Sequence, residues 1–287
     1  MSESSTSITN RRKATLSSTL VIVLLLASFL PVIAHAEDDN EEVEIFTGTI
    51  SNFDGEEMGK SYLSTSSEDP VFSATRHLKN QWIDAGMPDM ILPFSSDYLS
   101  KQSRSVSRAC ENAWNQGDSV TMPTAGGNIA AEVERVTSSA AIIVENGVSI
   151  PSTTINDIAS TWDNSIYPTV TSYFGNPPDV DNNCQVEIVI LAIDGPSNIG
   201  GYFSPGIAAS REAIFVDSDD LGWRNVIFAH EFEHLLHNAR DPLEYAWIDE
   251  GAADMAAFLV LGAEGSLIGH SNGWASNASC SVRWWNQ

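Results

Sequence analysis

The sequence predicts an α+β protein in which a small twisted sheet is followed by a helix packed on it, and then by strands that lead into a histidine-bearing helix. Three observations predict this. From about Ser107, runs such as NIAAEVERV and AAIIVENGVSI alternate apolar with polar residues, and Gly126-Gly127 and Asn146-Gly147 supply hairpin turns. Residues 155 to 174 change to a helical period, with Pro168 expected to kink the end. The β-branched runs ILAID and AIFVD, with GGYF between them, then precede a proline-free stretch from Leu221 to Arg240. In that stretch Val226, Ile227, Phe232, Leu235 and Leu236 recur at helical spacings, Asp219 or Asp220 stands where a cap would, and Asp241-Pro242 ends it.

At the N-terminus, Arg11, Arg12 and Lys13 precede the apolar run LVIVLLLASFLPVIA and then Ala34-His35-Ala36. This is the pattern of an export signal over residues 1–36, so the product is expected to be secreted or displayed at the cell surface. The apolar run is short for a membrane span and is broken by Pro31, so contact with a membrane is expected only if the signal stays uncleaved. Residues 37–106 open with EDDNEEVE and stay rich in Ser, Asp and Met without sustained apolar periods, which reads as an acidic linker or propeptide. Residues 107–287 are left as the folded domain.

The net charge is -24, and loss of residues 1–36, with three basic and one acidic side chains, takes it to -26. A polyanion of this kind excludes nucleic acid as a natural partner. Carboxylates also invite Ca²⁺, and DVDNN (179–183) and DSDD (217–220) are oxygen-rich turns. Neither has the spacing of an EF-hand loop, so solvated turns are the expectation and Ca²⁺ is only weakly supported. The three cysteines, Cys110, Cys184 and Cys280, allow one disulfide in three possible pairings.

The densest chemistry lies in AHEFEHLLH, residues 229–237 of a chain with six histidines. Residues four apart share a helical face, so His230 and His234 can bind one Zn²⁺ and Glu231 can reach water at that ion. A chance match to this H-E-x-x-H pattern is on the order of a one-per-cent event in such a chain. His237 is about 10 Å along the axis from His230, too far for a straight helix to bring all three rings to one ion. The metzincin pattern fails as well, because Leu236 and Arg240 stand where it needs Gly and His. WIDEGAAD (247–254) offers a third ligand in Glu250, beyond the break at Asp241-Pro242 and at the head of an apolar stretch ended by Gly262. Asp254, one turn later, can hold the free N–H of a liganding histidine. The same pair of acids also fits a plain solvated helix face.

The stretches VEIVILAID, IGGYFSP, EAIFVD, FAHEFEHLLH and WIDEGAAD, in this order over residues 186–254, resemble the hyicolysin-type neutral metallopeptidases. These belong to the gluzincins, zinc enzymes with glutamate as third ligand and a thermolysin-like layout. A weaker similarity reaches back over residues 153–183. The resemblance implies a zincin-type catalytic domain with one Zn²⁺ per chain on His230, His234 and Glu250, Glu231 as general base and Asp254 behind the ligands. It also implies that GGYF, including Gly201, Tyr202 and Phe203, is a sheet edge along which an extended polypeptide substrate can add through its main chain. As side chains, Tyr202 and Phe203 equally fit core packing.

Together these readings predict an exported zinc endopeptidase that hydrolyses peptide bonds in extended polypeptides. For the oxyanion donor, His270 and Tyr245 are the nearby residues, each equally readable as a solvent-facing loop residue. A helical lobe follows the third ligand in thermolysin-like layouts, whereas this sequence ends 37 residues after Glu250 with three tryptophans in its last 14 residues. Either the sequence is a fragment, or the C-terminal lobe is expected to be short or missing. The alternative reading is a non-catalytic, zinc-stabilised surface binding module, and a third is an acidic adhesin-like protein carrying the motif by chance.

Overall fold

In the computed structural model one compact unit spans Ile45–Gln287, and the structure describes residues 45–51, 53, 72–88, 90 and 110–262. The expected signal segment, His270, Cys280 and the terminal tryptophans lie outside the described residues. A seven-stranded mixed sheet carries the fold: β1 (Phe72–Ser73), β2 (Ser119–Thr124), β3 (Gly127–Val136), β4 (Ala140–Glu145), β5 (Val186–Leu191), β6 (Ile199–Phe203) and β7 (Ala213–Asp217). The helices are α1 (Thr75–Asp84), α2 (Ser152–Thr161), α3 (Tyr167–Phe174), α4 (Arg224–Asn238) and α5 (Ala246–Leu261). In space the strands run β1-β6-β7-β5-β4-β3-β2. The sequence expectation of an α+β class agrees with this architecture.

β2, β3 and β4 form an antiparallel meander, with the alternating burial of β3 matching its alternating sequence. β4, β5 and β7 are parallel neighbours and buried along almost their whole length, which is why they read as continuous apolar runs. Their side chains divide by parity between two cores. Ile142, Ile188, Ile190, Ile214 and Val216 pack under α2 to α5, while Ile143, Val189, Leu191 and Phe215 join Leu78, Met122 and Tyr202 on the opposite face.

Local chemistry departs from the sequence expectation at two points. Residues 152–174 are helical throughout, with a π turn at Trp162–Ile166 just before Pro168, which has no N–H to give to the helix. α4 has no side-chain cap, and a 3₁₀ turn at Leu221–Trp223 leads into it. Asp220 instead accepts the Ser197 N–H at 3.1 Å, and Asp217 accepts those of Asp194 and Asp219. These acids tie loops to the sheet.

A larger difference concerns residues 72–84. An acidic linker or propeptide without sustained apolar periods was expected there, and the linker reading fails, because β1 pairs in parallel with β6 and Leu78 and Trp82 of α1 are buried in the fold. Consequently β6 is not the sheet edge that the resemblance implied, because β7 lies on one side of it and β1 on the other. The Ala74 N–H completes this contact on the Gly201 carbonyl at 3.1 Å.

Candidate metal centre

α4 is buried continuously from Val226 to Leu236, so most of its polar groups are held by other protein groups. Phe232 is held between Trp162 and the stacked ring of Tyr167, at 4.9 and 5.7 Å between centroids. On another side of the helix His230 and His234 sit one turn apart, fully buried, with their Nε2 atoms 3.1 Å from each other. After the break at Asp241-Pro242 the chain doubles back as α5, which packs along α4 and brings Glu250 to the same point. Glu250 Oε2 is 3.5 Å from Nε2 of His230 and 3.7 Å from Nε2 of His234.

The far side of each ring is held as well. Asp254 Oδ1 lies 3.2 Å from His230 Nδ1, and Asp249 Oδ1 lies 3.3 Å from His234 Nδ1. A carboxylate at each Nδ1 favours the ring proton there, so in the neutral rings both Nε2 lone pairs converge with Glu250 Oε2. A four-coordinate zinc with bonds of about 2.0–2.2 Å has ligand-to-ligand edges of about 3.3–3.6 Å, close to the triangle observed here. The donor set therefore fits Zn²⁺, and two imidazoles with one carboxylate suit it better than a hard, all-oxygen ion.

The electrostatics agree with a cation at this point. Burial works against a charged His230, but Asp254 and Glu250 outweigh it and raise the ring to about 9. His234 is raised well above its ordinary value against the same penalty, by Asp249 and Glu250. Burial would push the Glu250 carboxyl up, yet His234 and His230 hold it well below the usual range. Three buried carboxylates around two imidazoles demand positive charge, whether supplied by protons or by a metal ion.

Glu231 lies beside this triangle, buried. Its Oε2 accepts the Thr75 hydroxyl at 2.6 Å, and its Oε1 has no hydrogen-bond partner among the described residues. Thr75 Oγ1 in turn accepts the Phe203 N–H at 2.7 Å. Lys79, also on α1, places its ammonium 2.6 Å from Asp249 Oδ2, with both side chains nearly buried. Arg76, between them in sequence, is held below its ordinary pKa by burial while the charge of Glu250 acts the other way. Sequence reasoning missed Thr75, Lys79 and Asp249. Asp249 had a usable signal, since two buried imidazoles call for two outer carboxylates; the α1 residues had none.

The other expected residues fall as follows. His237 is outside the triangle, its Nδ1 lying 3.2 Å from Glu233 and 3.8 Å from Asp249. Tyr245 precedes α5 and is 74% exposed, with no hydrogen bond from its side chain to the site among the described residues. Tyr202 and Phe203 are core residues: Tyr202 stacks on Phe215 at 4.7 Å and its hydroxyl accepts the Ala125 N–H at 3.2 Å. Gly201 lets β6 approach α4 closely, since a Cβ there would lie 2.6 Å from both Ile227 Cγ2 and the Phe215 carbonyl. Comparison with known proteins gives no match, either to a protein-family model or to a curated protein sequence.

Proposed function

We propose that the chain is an exported, zinc-dependent endopeptidase acting on extended polypeptides, with His230, His234 and Glu250 as ligands and Glu231 as general base. The supporting observation is the pairing of each imidazole with its own carboxylate, Asp254 and Asp249, so that both Nε2 atoms face Glu250 Oε2 next to a buried glutamate. His230, His234 and Glu250 would hold the Zn²⁺, which when bound would supply a Lewis acid for a peptide carbonyl and for water. Glu231 Oε1, which has no hydrogen-bond partner among the described residues, takes the proton from the water that attacks the peptide carbonyl and later gives it to the departing amine. Thr75 holds Oε2, so the carboxylate keeps a single orientation through both transfers. Export rests on residues 1–36.

One observation favours a second reading, a zinc-stabilised binding module. The strand that a substrate would use, β6, is covered by β1, and Glu231 is already engaged by Thr75. A peptide must therefore displace β1 or dock on its outer side.

Zinc content and cleavage of casein or a quenched peptide, measured on the same samples, separate the readings. The wild-type chain should hold one zinc and cleave. Glu231→Gln should keep the metal while turnover drops by about 10²–10⁴-fold, the usual loss without a general base. Glu250→Gln should lose metal and turnover together. Unit zinc with no cleavage by the wild-type chain, and no effect of Glu231→Gln, would establish the binding module instead.

A further inference from the structure

Beside the starts of β5 and β7 a second group of acids converges. Asp179, Asp181 and Glu212 each bring a carboxylate oxygen within 4.8 Å of the other two. Asp179 and Asp181 belong to the DVDNN turn, which reads from sequence as solvated; Glu212 stands just before β7 and is 2% exposed. Asp181 is half-buried, and its oxygens take the backbone and side-chain N–H groups of Asn183 at 3.1 and 2.8 Å. Asp179 Oδ1 accepts the Cys184 N–H at 3.1 Å. Glu212 Oε1 accepts the Val180 N–H at 2.7 Å, but Oε2 is buried with no hydrogen-bond partner among the described residues.

That orphaned oxygen separates this cluster from the acids at Asp217 and Asp220, whose carboxylates are taken up by backbone N–H groups. A buried carboxylate oxygen without a donor is costly, and two further carboxylates beside it make the charged form worse. Burial first, then Asp181 and Asp179, push the Glu212 carboxyl well above its ordinary range. The neighbouring cation, Arg211, makes its contacts outside the cluster, with Nη1 3.2 Å from Glu187 Oε2 and 3.0 Å from Met122 sulfur, while its charge favours the ionised form of Asp181. The loop itself is anchored on its far side by the Cys110–Cys184 disulfide and by Asn112, which donates to the Asp181 carbonyl at 2.6 Å.

We propose that Asp179, Asp181 and Glu212 form a Ca²⁺ site that fastens the 179–184 loop to the start of β7, apart from the histidine centre. An all-oxygen set of three carboxylates, without imidazole or thiolate, selects a hard cation. Ca²⁺ accepts the irregular geometry of a turn better than Mg²⁺, and its remaining positions can be filled by water and backbone carbonyls.

The purified chain, freed of Ca²⁺ with EGTA and titrated with CaCl₂ in a calorimeter, tests this. One Ca²⁺ per chain should bind with a Kd below about 1 mM, the weak end for extracellular sites, and the melting temperature should rise with Ca²⁺ concentration. Glu212→Gln should weaken binding at least tenfold and abolish the thermal shift. Asp181→Asn, at a less buried position, should do the same if the Glu212 variant does not fold. Glu132→Gln on the exposed side of β3 and His234→Ala in the histidine centre should each leave Ca²⁺ affinity unchanged. A folded wild-type chain that takes up no Ca²⁺, or binding that survives both Glu212→Gln and Asp181→Asn, would overturn the assignment.

Discussion

Thr75 donates its hydroxyl proton to Glu231 at 2.6 Å while accepting the Phe203 N–H at 2.7 Å, so one side chain of α1 joins the glutamate of α4 to strand β6. Replacing it with the near-isosteric valine leaves both a buried N–H and a buried carboxylate oxygen without that partner. Each such loss costs about 1–3 kcal/mol. Thr75→Val should therefore lower the urea midpoint by the equivalent of about 2 kcal/mol or more, whereas Thr75→Ser, which keeps the hydroxyl, should stay near wild type. Equal midpoints for Val and wild type would show that the two bonds contribute nothing net.

The two carboxylates behind the histidines should behave differently. Asp254→Asn should weaken zinc by about 10–100-fold in a competition titration and leave the fold intact, as losses behind a liganding histidine usually do. Asp249→Asn should weaken zinc similarly, but it also strands the buried Lys79 ammonium, and breaking a buried ion pair from one side costs about 3–5 kcal/mol. The distinguishing readout is therefore stability against zinc affinity. His237→Asn, outside the triangle, should change zinc affinity in neither direction.

Gly201 is where β6 and α4 touch. A methyl group added there meets Ile227 and the Phe215 backbone at 2.6 Å, and the backbone oxygen cannot swing away. Gly201→Ala should destabilise by about 1–3 kcal/mol, the usual cost of overpacking. Gly222→Ala, with nothing within 4 Å of its new carbon, should stay within about 0.5 kcal/mol of wild type. Thermal unfolding of the two variants side by side would expose any error in this contact.

Glu187, buried at the start of β5, predicts a pH effect. Burial raises its carboxyl to about 7, although Arg211 and the Trp114 N–H favour the charged form and Asp181 opposes it. A folded-state pKa above the unfolded 4.5 means that the folded chain binds the proton more tightly. Its contribution is thus complete below about pH 4.5 and is lost as pH rises through about 7. In EGTA, the wild-type urea midpoint should fall relative to that of Glu187→Gln between those limits. Parallel midpoints across the range would show that Glu187 is ionised throughout.

What the sequence by itself determined is what the local backbone repeat controls. An α-helix places residues four apart on one face, so the convergence of His230 and His234 was legible from their spacing, and Glu250 and Asp254 from a break followed by one helical turn. Asp249 was next to Glu250 and still passed over, because one residue along a helix turns a side chain by about 100°. It serves His234, while Asp254 serves His230. The β-runs were equally legible, since a buried parallel strand is apolar throughout and a half-buried one alternates.

Tertiary structure alone decided which strand lies at the edge, and what reaches the site from far away in the chain. β6 carries no mark in GGYF of whether solvent, a substrate or β1 will pair with it, because backbone N–H and C=O groups are the same in every strand. Thr75 and Lys79 lie 156 and 170 positions from their partners, in a segment whose polar composition reads as unstructured. Glu212 likewise looks like an ordinary acid before an apolar run until the DVDNN turn is folded over it. Spacing along one element follows from covalent geometry and is written locally; pairing between elements follows from which surfaces exclude water together, and only the assembled chain specifies that.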